Sequence, residues 1–252
     1  MKNFFQTLLL LLVIGIIGYH VKGQLFPPPP CSQPIPYNIG TFDTQFGISK
    51  AYFLSALADA EAIWEKPSGI NLFDYSPGDT NPNDLKINLV YDYRQQATTK
   101  LNNIGASVKT DQAQYDMLKA QYDELKTEIQ NTRDIDQKNA KIDQLNALVP
   151  QLNALAERLN LSVETYNNTN DSHGESFEEG LYSTDGTTTK IDIYEFSNRD
   201  KLVRVLAHEL GHALGMEHVD DPKAIMYALN QGTNESATKA DINELDIVCK
   251  IK

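Results

Sequence analysis

Positive charge is scarce in this chain of 252 residues, in which 22 lysines and arginines stand against 34 aspartates and glutamates. The resulting net charge of −12 argues against nucleic acid as a partner, because phosphate binding requires a basic patch. It also argues against electrostatic docking on anionic lipid. Hydrophobic residues make up 41% of the chain, which indicates that most of it is globular.

Long hydrophobic runs are lacking except at the N-terminus. The almost wholly apolar stretch 4–17 has about 14 residues, fewer than the roughly 20 that a membrane-spanning helix needs. Lys2 precedes this stretch, and the small residues Val21 and Gly23 follow it, a pattern typical of a cleaved signal peptide. We therefore predict a signal peptide over residues 1–23 and a secreted, extracellular protein with no stable membrane insertion. The alternative is a protein anchored in the membrane by an uncleaved leader.

Cysteine is nearly absent. Cys31 and Cys249 are the only two, one near each end of the mature chain. Export places both in an environment that permits disulfides. Cys31 lies in a Pro-rich segment, residues 24–34, whose four consecutive prolines predict a short, stiff spacer after the leader.

Between residues 94 and 160 the chain has no tryptophan and a single glycine, Gly105. Apolar residues recur there at spacings of three and four, as in a coiled coil. A polar break at 131–136 separates two such runs, so we predict an inserted antiparallel helical hairpin over residues 94–166. Two interpretations stay open: an insertion that packs on itself, and an arm that binds a protein partner. The predicted seam contains Leu118, Tyr122, Leu125 and Ile129 in the first helix and Ile142, Leu145, Val149 and Leu152 in the second.

The flanking segments, 35–93 and 167–252, mix strand and helix patterns and predict an α+β fold. Alternating or apolar runs bounded by turn residues predict strands near residues 35–39, 69–75, 85–91, 177–182 and 187–196. Capping and stop signals predict helices over residues 49–66, from Asn198 or Asp200 to residue 214, and over residues 238–248, the first of them ended by Pro67.

The stretch His208-Glu209-Leu210-Gly211-His212 carries the clearest chemical signal. Residues four apart lie on one face of a helix, so His208 and His212 can bind one metal ion. His218 follows six residues later, and Gly215 permits the positive φ that would turn the chain back and return His218 to that ion. Three protein ligands leave zinc an open position, as in catalytic sites, and Glu209 lies near enough to reach a water molecule there.

A second short motif follows at Ala224-Ile225-Met226-Tyr227. Met226 alone would be an ordinary core residue. Downstream of three correctly spaced histidines, it is better explained as the hydrophobic floor beneath the metal.

Together, "HELGHALGMEH" and "AIMY" resemble the sequence motifs of the metzincins, and most of all those of the matrixins. The segments "IPYNIGTF", "AEAIW", "LKINLVY" and "ATKADINEL" fall in the same order as in that family. The resemblance implies a zincin-like domain with a twisted mixed β-sheet, an active-site helix and a C-terminal helix. It implies a zinc metalloendopeptidase that cleaves internal bonds of polypeptide substrates, with one Zn²⁺ on His208, His212 and His218, Glu209 as general base, and Gly215, Met226 and Tyr227 as structural residues.

Matrixins carry a loop with structural zinc and calcium where this chain has the helical hairpin. No obvious ligand set replaces that loop. Asp185, Asp192 and Glu195 are candidates for binding Ca²⁺, and a solvated acidic surface is the simpler interpretation of them.

The resemblance also leaves two interpretations of Cys31. "PPCSQP" is similar to the cysteine switch of matrixin propeptides, in which a thiolate occupies the open zinc position. The family fold otherwise places the mature N-terminal segment near the C-terminal helix, where Cys249 lies, and this implies a disulfide between Cys31 and Cys249.

Two other functional classes remain. One is a catalytically silent binding protein that acts through the hairpin, although such a protein has no chemical need for Glu209. The other is a zinc hydrolase of another kind, such as an amidase. The third histidine and Met226 favour the peptidase.

Overall fold

The computed structural model describes residues 30–78, 81–173, 179–229 and 234–250, without the side chains of residues 170–173. The predicted signal peptide and residues 24–29 lie outside these ranges. Within the described residues, no helix is both long enough and apolar enough to cross a membrane.

A five-stranded mixed sheet forms the centre of the fold outside the predicted hairpin. Its strands are β1 (Ile35–Phe42), β2 (Phe73–Tyr75), β3 (Leu85–Leu89), β4 (Gly180–Thr184) and β5 (Thr189–Ile193), in the order β2-β1-β3-β5-β4. β4 is antiparallel to β5, whereas the other neighbours are parallel. The predicted α+β fold with a mixed sheet is thus confirmed, and β4 is a terminal strand of the sheet.

Three helices accompany the sheet: α1 (Lys50–Ser68), α4 (Arg199–Ala213) and α5 (Lys239–Cys249). Each begins after a capping side chain, because Ser49, Asn198 and Thr238 accept a hydrogen bond from a backbone N–H in the first turn. α1 packs against α4, and the indole N–H of Trp64 donates to the carbonyl oxygen of Ala207 at 2.9 Å. This bond fixes α4 against the buried face of α1.

The end of α1 differs from the prediction. Pro67 lies inside the helix rather than stopping it. The helix ends one residue later, because Gly69 adopts a left-handed conformation with φ of 67° and its N–H donates to the carbonyl oxygen of Glu65.

The insertion consists of two helices of 39 residues each, α2 (Tyr93–Asn131) and α3 (Ile135–His173). At 1.5 Å per residue, each is about 58 Å long. Ion pairs between Lys141 and Glu128 and between Arg158 and Asp111 show that the helices are antiparallel. We call this hairpin the arm. α3 ends at His173, beyond the expected boundary at residue 166.

One position in the predicted seam of the arm is wrong. Val149 is 37% exposed, and Leu148 instead lines the groove between the helices together with Leu125. The inward positions of α3 follow the series Leu145, Leu148, Leu152, Leu155 and Leu159. Spacings of three and four through Leu148 keep this series facing α2, whereas Val149 lies next to it on the outside.

Cys31 and Cys249 are joined by a disulfide in the structure, with a Cα–Cα distance of 5.2 Å. The bond connects the segment before β1 to the last residue of α5. It joins residues that are 218 positions apart in sequence.

Candidate active site

Three histidine side chains converge at the carboxyl end of α4. His208 and His212 lie one turn apart on this helix. Gly215, with φ of 92°, lets the chain leave the helix and bring His218 back toward them. The Nε2 atom of His212 lies 3.1 Å from that of His208 and 3.2 Å from that of His218, and the third Nε2–Nε2 distance is 3.3 Å.

These distances fit a zinc ion. A tetrahedral site with Zn–N bonds of 2.0–2.1 Å separates its nitrogen ligands by about 3.3 Å. The Nδ1–H of His208 donates to the carbonyl oxygen of Ile225 at 2.7 Å, and that of His212 donates to Met216 at 2.9 Å. These bonds hold the proton on Nδ1 and leave the Nε2 lone pairs for a metal. The donor set therefore matches the chemistry that the spacing predicts.

Burial keeps two of the imidazoles neutral. It lowers the pKa of His208 to about 4 and also lowers the pKa of His212. A buried imidazolium would have lost its hydration, so the uncharged form is favoured. Neutral imidazole is the form that binds a metal, and both side chains are in it at physiological pH.

The side chain of Glu209 extends from α4 to the terminal strand β4. Its side chain is only 5% exposed, and its Oε2 accepts a hydrogen bond from the backbone N–H of Tyr182 at 2.7 Å. A Cβ atom at Gly180 would lie 2.9 Å from Oε1 of Glu209, so β4 can approach this closely only because residue 180 has no side chain. Sequence reasoning missed the roles of Gly180 and Tyr182. The only signal was a strand expected near residues 177–182.

Met226 lies beneath the histidines and is fully buried. A Cβ atom at Gly211 would be 2.3 Å from its sulfur and 3.3 Å from the ring of Trp64. Gly211 is therefore the residue that admits Met226 under the helix. Tyr227, the next residue, is half-buried, and its N–H lies 3.5 Å from the carbonyl oxygen of Ala224.

Two buried charged residues that sequence reasoning missed hold this turn in place. Asp241 is fully buried and accepts hydrogen bonds from the backbone N–H groups of Ile225 and Met226, both at 2.9 Å. Its only sequence signal was the capping box that it forms with Thr238. Arg204, 3% exposed, donates to the carbonyl oxygens of Ala224 and Asn234, and burial lowers its pKa.

The carboxylates considered for calcium do not converge. Asp192 accepts from the amide of Asn88 and from Lys190, both at 2.7 Å, and Asp185 accepts from Thr187 and Thr188. Asp192 and Glu195 are only 5% and 7% exposed, so the interpretation of a solvated surface is wrong for these two. Within the described ranges, the three histidines are the one cluster of at least three potential ligands.

Comparison with known proteins gives one result that identifies the family. No curated protein matches the chain, and no solved structure matches it either. The family model described as Matrixin matches residues 32–249, which include the arm as well as the histidine site. The chain therefore belongs to the matrixins, the metzincin family of zinc-dependent metalloendopeptidases.

Proposed function

We propose that this chain is a secreted endopeptidase in which His208, His212 and His218 bind one Zn²⁺ and Glu209 acts as the general base. The observation that carries the proposal is the set of three Nε2 atoms separated by 3.1–3.3 Å, with the Glu209 carboxylate at the adjacent strand β4. Zn²⁺ bound there supplies a Lewis acid that lowers the pKa of water and polarises a carbonyl group.

Glu209 carries the proton in this scheme. Its carboxylate accepts a proton from the attacking water and then donates it to the leaving amine of the cleaved peptide bond. The N–H of Tyr182 holds Oε2 of the carboxylate at 2.7 Å and so fixes the orientation of the group. A carboxylate held in one orientation loses no conformational freedom as the reaction proceeds, so this bond makes Glu209 a better placed base.

The position of β4 supports a polypeptide substrate in extended form. β4 ends the sheet, and Glu209 lies against it. An extended peptide can add to such a strand through backbone hydrogen bonds, which would bring its carbonyl groups past the histidines one after another. This mode of binding requires no free chain end and so favours cleavage of internal bonds.

The metal and the base can be tested separately. The wild-type protein should contain about one zinc per chain and degrade casein, and a chelator should abolish the degradation. His212→Ala should lose the zinc, whereas Glu209→Gln should keep it and lose roughly 10²- to 10⁴-fold in turnover. Glu217→Gln, the same change at an exposed glutamate beside the site, serves as the matched control and should keep both properties.

Each outcome decides between functional classes. Full zinc in His212→Ala would contradict the ligand assignment, and wild-type turnover in Glu209→Gln would contradict the general base. Zinc binding without casein cleavage would favour a silent binding protein. Release of ammonia or a small acid from amide substrates, with intact casein, would favour an amidase.

Secretion rests on the leader pattern and on the disulfide between Cys31 and Cys249. When the chain is expressed with its own leader, the protein recovered from the medium should begin at Gln24. Retention of the intact leader in the membrane fraction would show instead that residues 4–17 act as an anchor.

A further inference from the structure

The outer side of α3 carries an apolar row that the hairpin buries only in part. Ile135, Ile142, Val149, Ala156 and Val163 recur every seven residues beside the inward leucines. Of these, Ile135 is 73% exposed, Val149 37% and Val163 49%. Residues seven apart on a helix lie on one line along its surface, so the five side chains form a continuous strip. We call this strip the outer row.

The outer row adds a third apolar position per seven residues to the two that a two-helix hairpin requires. A two-stranded seam uses two apolar positions in every seven, whereas a third apolar position is typical of helices that pack against further helices in a bundle. The register set by the Arg158–Asp111 and Lys141–Glu128 pairs places the small residue Ala120 of α2 at the level of Val149. Val149 is 37% exposed at this level.

We propose that the outer row is the contact surface for a second copy of this chain, with the two α3 helices antiparallel about a two-fold axis near Val149. The spacing of the row is symmetric about this residue. Ile135 of one copy then faces Val163 of the other, Ile142 faces Ala156, and Val149 faces its own counterpart. A two-fold axis makes one patch complementary to itself, as in most homodimers.

The charge distribution favours the arm as the place where two copies meet. Residues 93–173 contain 11 acidic and 9 basic residues, whereas the rest of the chain contains 23 acidic and 13 basic ones. The arm is therefore close to neutral, with a net charge of −2, while the remainder carries −10. Like-charged bodies repel one another. Contact through the nearly neutral arm therefore involves less electrostatic repulsion than contact through the acidic remainder of the chain.

Antiparallel packing also keeps the two acidic bodies apart. Val149 lies 24 residues before the end of α3 at His173, or about 36 Å along the helix. A two-fold axis at Val149 separates the two arm bases by roughly 70 Å, many times the screening length of about 8 Å at physiological salt. Parallel packing would instead bring the bodies side by side.

The buried area fits a dimer of modest affinity. The outer row spans 28 residues, or about 42 Å, and one helix is about 10 Å wide. The contact along α3 would thus cover on the order of 400 Å² on each copy, or about 800 Å² in total, a size typical of weak, reversible interfaces. A row that leaves Ile135, Val149 and Val163 exposed over this length is otherwise unusual on a soluble protein.

Sedimentation of the mature chain, residues 24–252, tests the proposal. The wild-type protein should sediment as a dimer at micromolar concentration. Val149→Glu combined with Val163→Glu should weaken the dimer at least about 100-fold, since two buried charges per copy would be unpaired. The matched control, Ala113→Glu combined with Ala120→Glu, places the same charges on exposed positions of α2 and should leave the dimer intact.

A cysteine substitution tests the position of the axis. Both native cysteines are joined to each other, so a new cysteine is the only free thiol in the described residues. Val149→Cys should form a covalent dimer under mild oxidation, whereas Ala113→Cys should stay monomeric on a non-reducing gel.

The possible results are distinct. A wild-type protein that sediments as a monomer overturns the proposal, whether or not the outer row binds some other protein. A dimer that survives Val149→Glu with Val163→Glu, while circular dichroism shows unchanged helix content, overturns it as well. None of these measurements depends on peptidase activity, so the result is independent of the proposed function.

Discussion

At the scale of single residues, the site depends on two positions that have no side chain. Gly211 admits Met226 beneath the histidine helix, and Gly180 lets β4 touch Glu209. In both cases a methyl group would collide with a neighbour that is itself packed or hydrogen-bonded. The arrangement of the catalytic groups is therefore set by close packing as well as by the groups themselves.

Gly211→Ala should destabilise the protein by roughly 1–3 kcal/mol, the usual cost of overpacking. The reason is that the new methyl group would lie 2.3 Å from the sulfur of Met226. Chemical denaturation gives the free energy of unfolding. Gly105→Ala is the matched control, because nothing lies within 4 Å of its added Cβ and alanine is a better helix former. The control should be stabilised by up to about 1 kcal/mol, and an equal loss in both variants would contradict the packing argument.

Ionisation of Glu61 should make the free energy of unfolding depend on pH. Tyr37 donates its hydroxyl hydrogen to Oε1 of Glu61, and burial raises the pKa of this carboxyl group. The folded protein then holds the proton more tightly than the unfolded chain does. The stability that Glu61 contributes is consequently greatest below the unfolded pKa of about 4.5 and is lost as the pH rises through the folded pKa.

Glu61→Gln should remove this fall, because glutamine has no proton to lose. The measurement is the free energy of unfolding from pH 4 to pH 8 in the wild-type and variant proteins. Glu164→Gln, on the exposed surface of α3, is the control and should keep the wild-type slope. An unchanged slope in Glu61→Gln would contradict the role of this residue.

At the scale of elements, the arm is attached to the catalytic part through its first turn. The side-chain oxygen of Gln95 accepts a hydrogen bond from the backbone N–H of Phe196 at 3.0 Å, and the guanidinium of Arg94 lies 3.5 Å above the ring of Tyr194. Beyond this turn, the arm packs mainly on itself. The base of the arm thus belongs to the catalytic fold, whereas its length does not.

Replacing residues 99–163 by a short Gly-Ser linker should therefore leave a folded peptidase. Gln95 and Arg94 remain, and the two ends lie on neighbouring helices, so a flexible linker can connect them. Zinc content, thermal unfolding and turnover of small peptides should stay near wild type. Replacing only the tip, residues 128–141, is the milder control. Failure of the longer deletion alone to fold would show that the arm contributes to the core.

The arm also shows which features heptad analysis can predict and which it cannot. Spacings of three and four predicted the two helices and the break between them, because these depend on residues close in sequence. They assigned Val149 to the seam in place of Leu148. Both residues satisfy the apolar pattern, and only packing against α2 decides which of them faces inward.

At the scale of the whole molecule, the disulfide closes almost the entire chain. It joins Cys31 to Cys249, so that β1 and α5 are held together at one end of the fold. A loop of 218 residues corresponds to about 5 kcal/mol in the chain-entropy account, a figure that native strain reduces. The bond is thus a major contribution for a domain whose net stability is about 5–15 kcal/mol.

Intact mass after alkylation without reductant should show no modified thiol in the native secreted protein. Replacing both Cys31 and Cys249 with serine should lower the melting temperature while the zinc content stays the same, because neither residue lies among the histidines. Two alkylated thiols in the native protein would contradict the disulfide. A Cys31→Ser variant more active than wild type would then support the cysteine switch instead.

The sequence by itself determined the parts of this protein that depend on local order. Histidines four residues apart share a helix face, and Gly215 supplies the reversal that brings His218 back. The cap Ser49 gave the start of one helix, and Asn198 was one of two candidates for the start of another, because a capping side chain bonds within its own first turn.

Only the tertiary structure decided which distant groups meet at the site. Asp241 reaches the backbone of Met226 across 15 residues, and the N–H of Tyr182 reaches Glu209 across 27. No periodicity or cap encodes such contacts, since they form only when the sheet, the active-site helix and the C-terminal helix are packed together. Long-range contacts follow from the whole fold, whereas the identity of the metal ligands follows from the spacing along one helix and the turn after it.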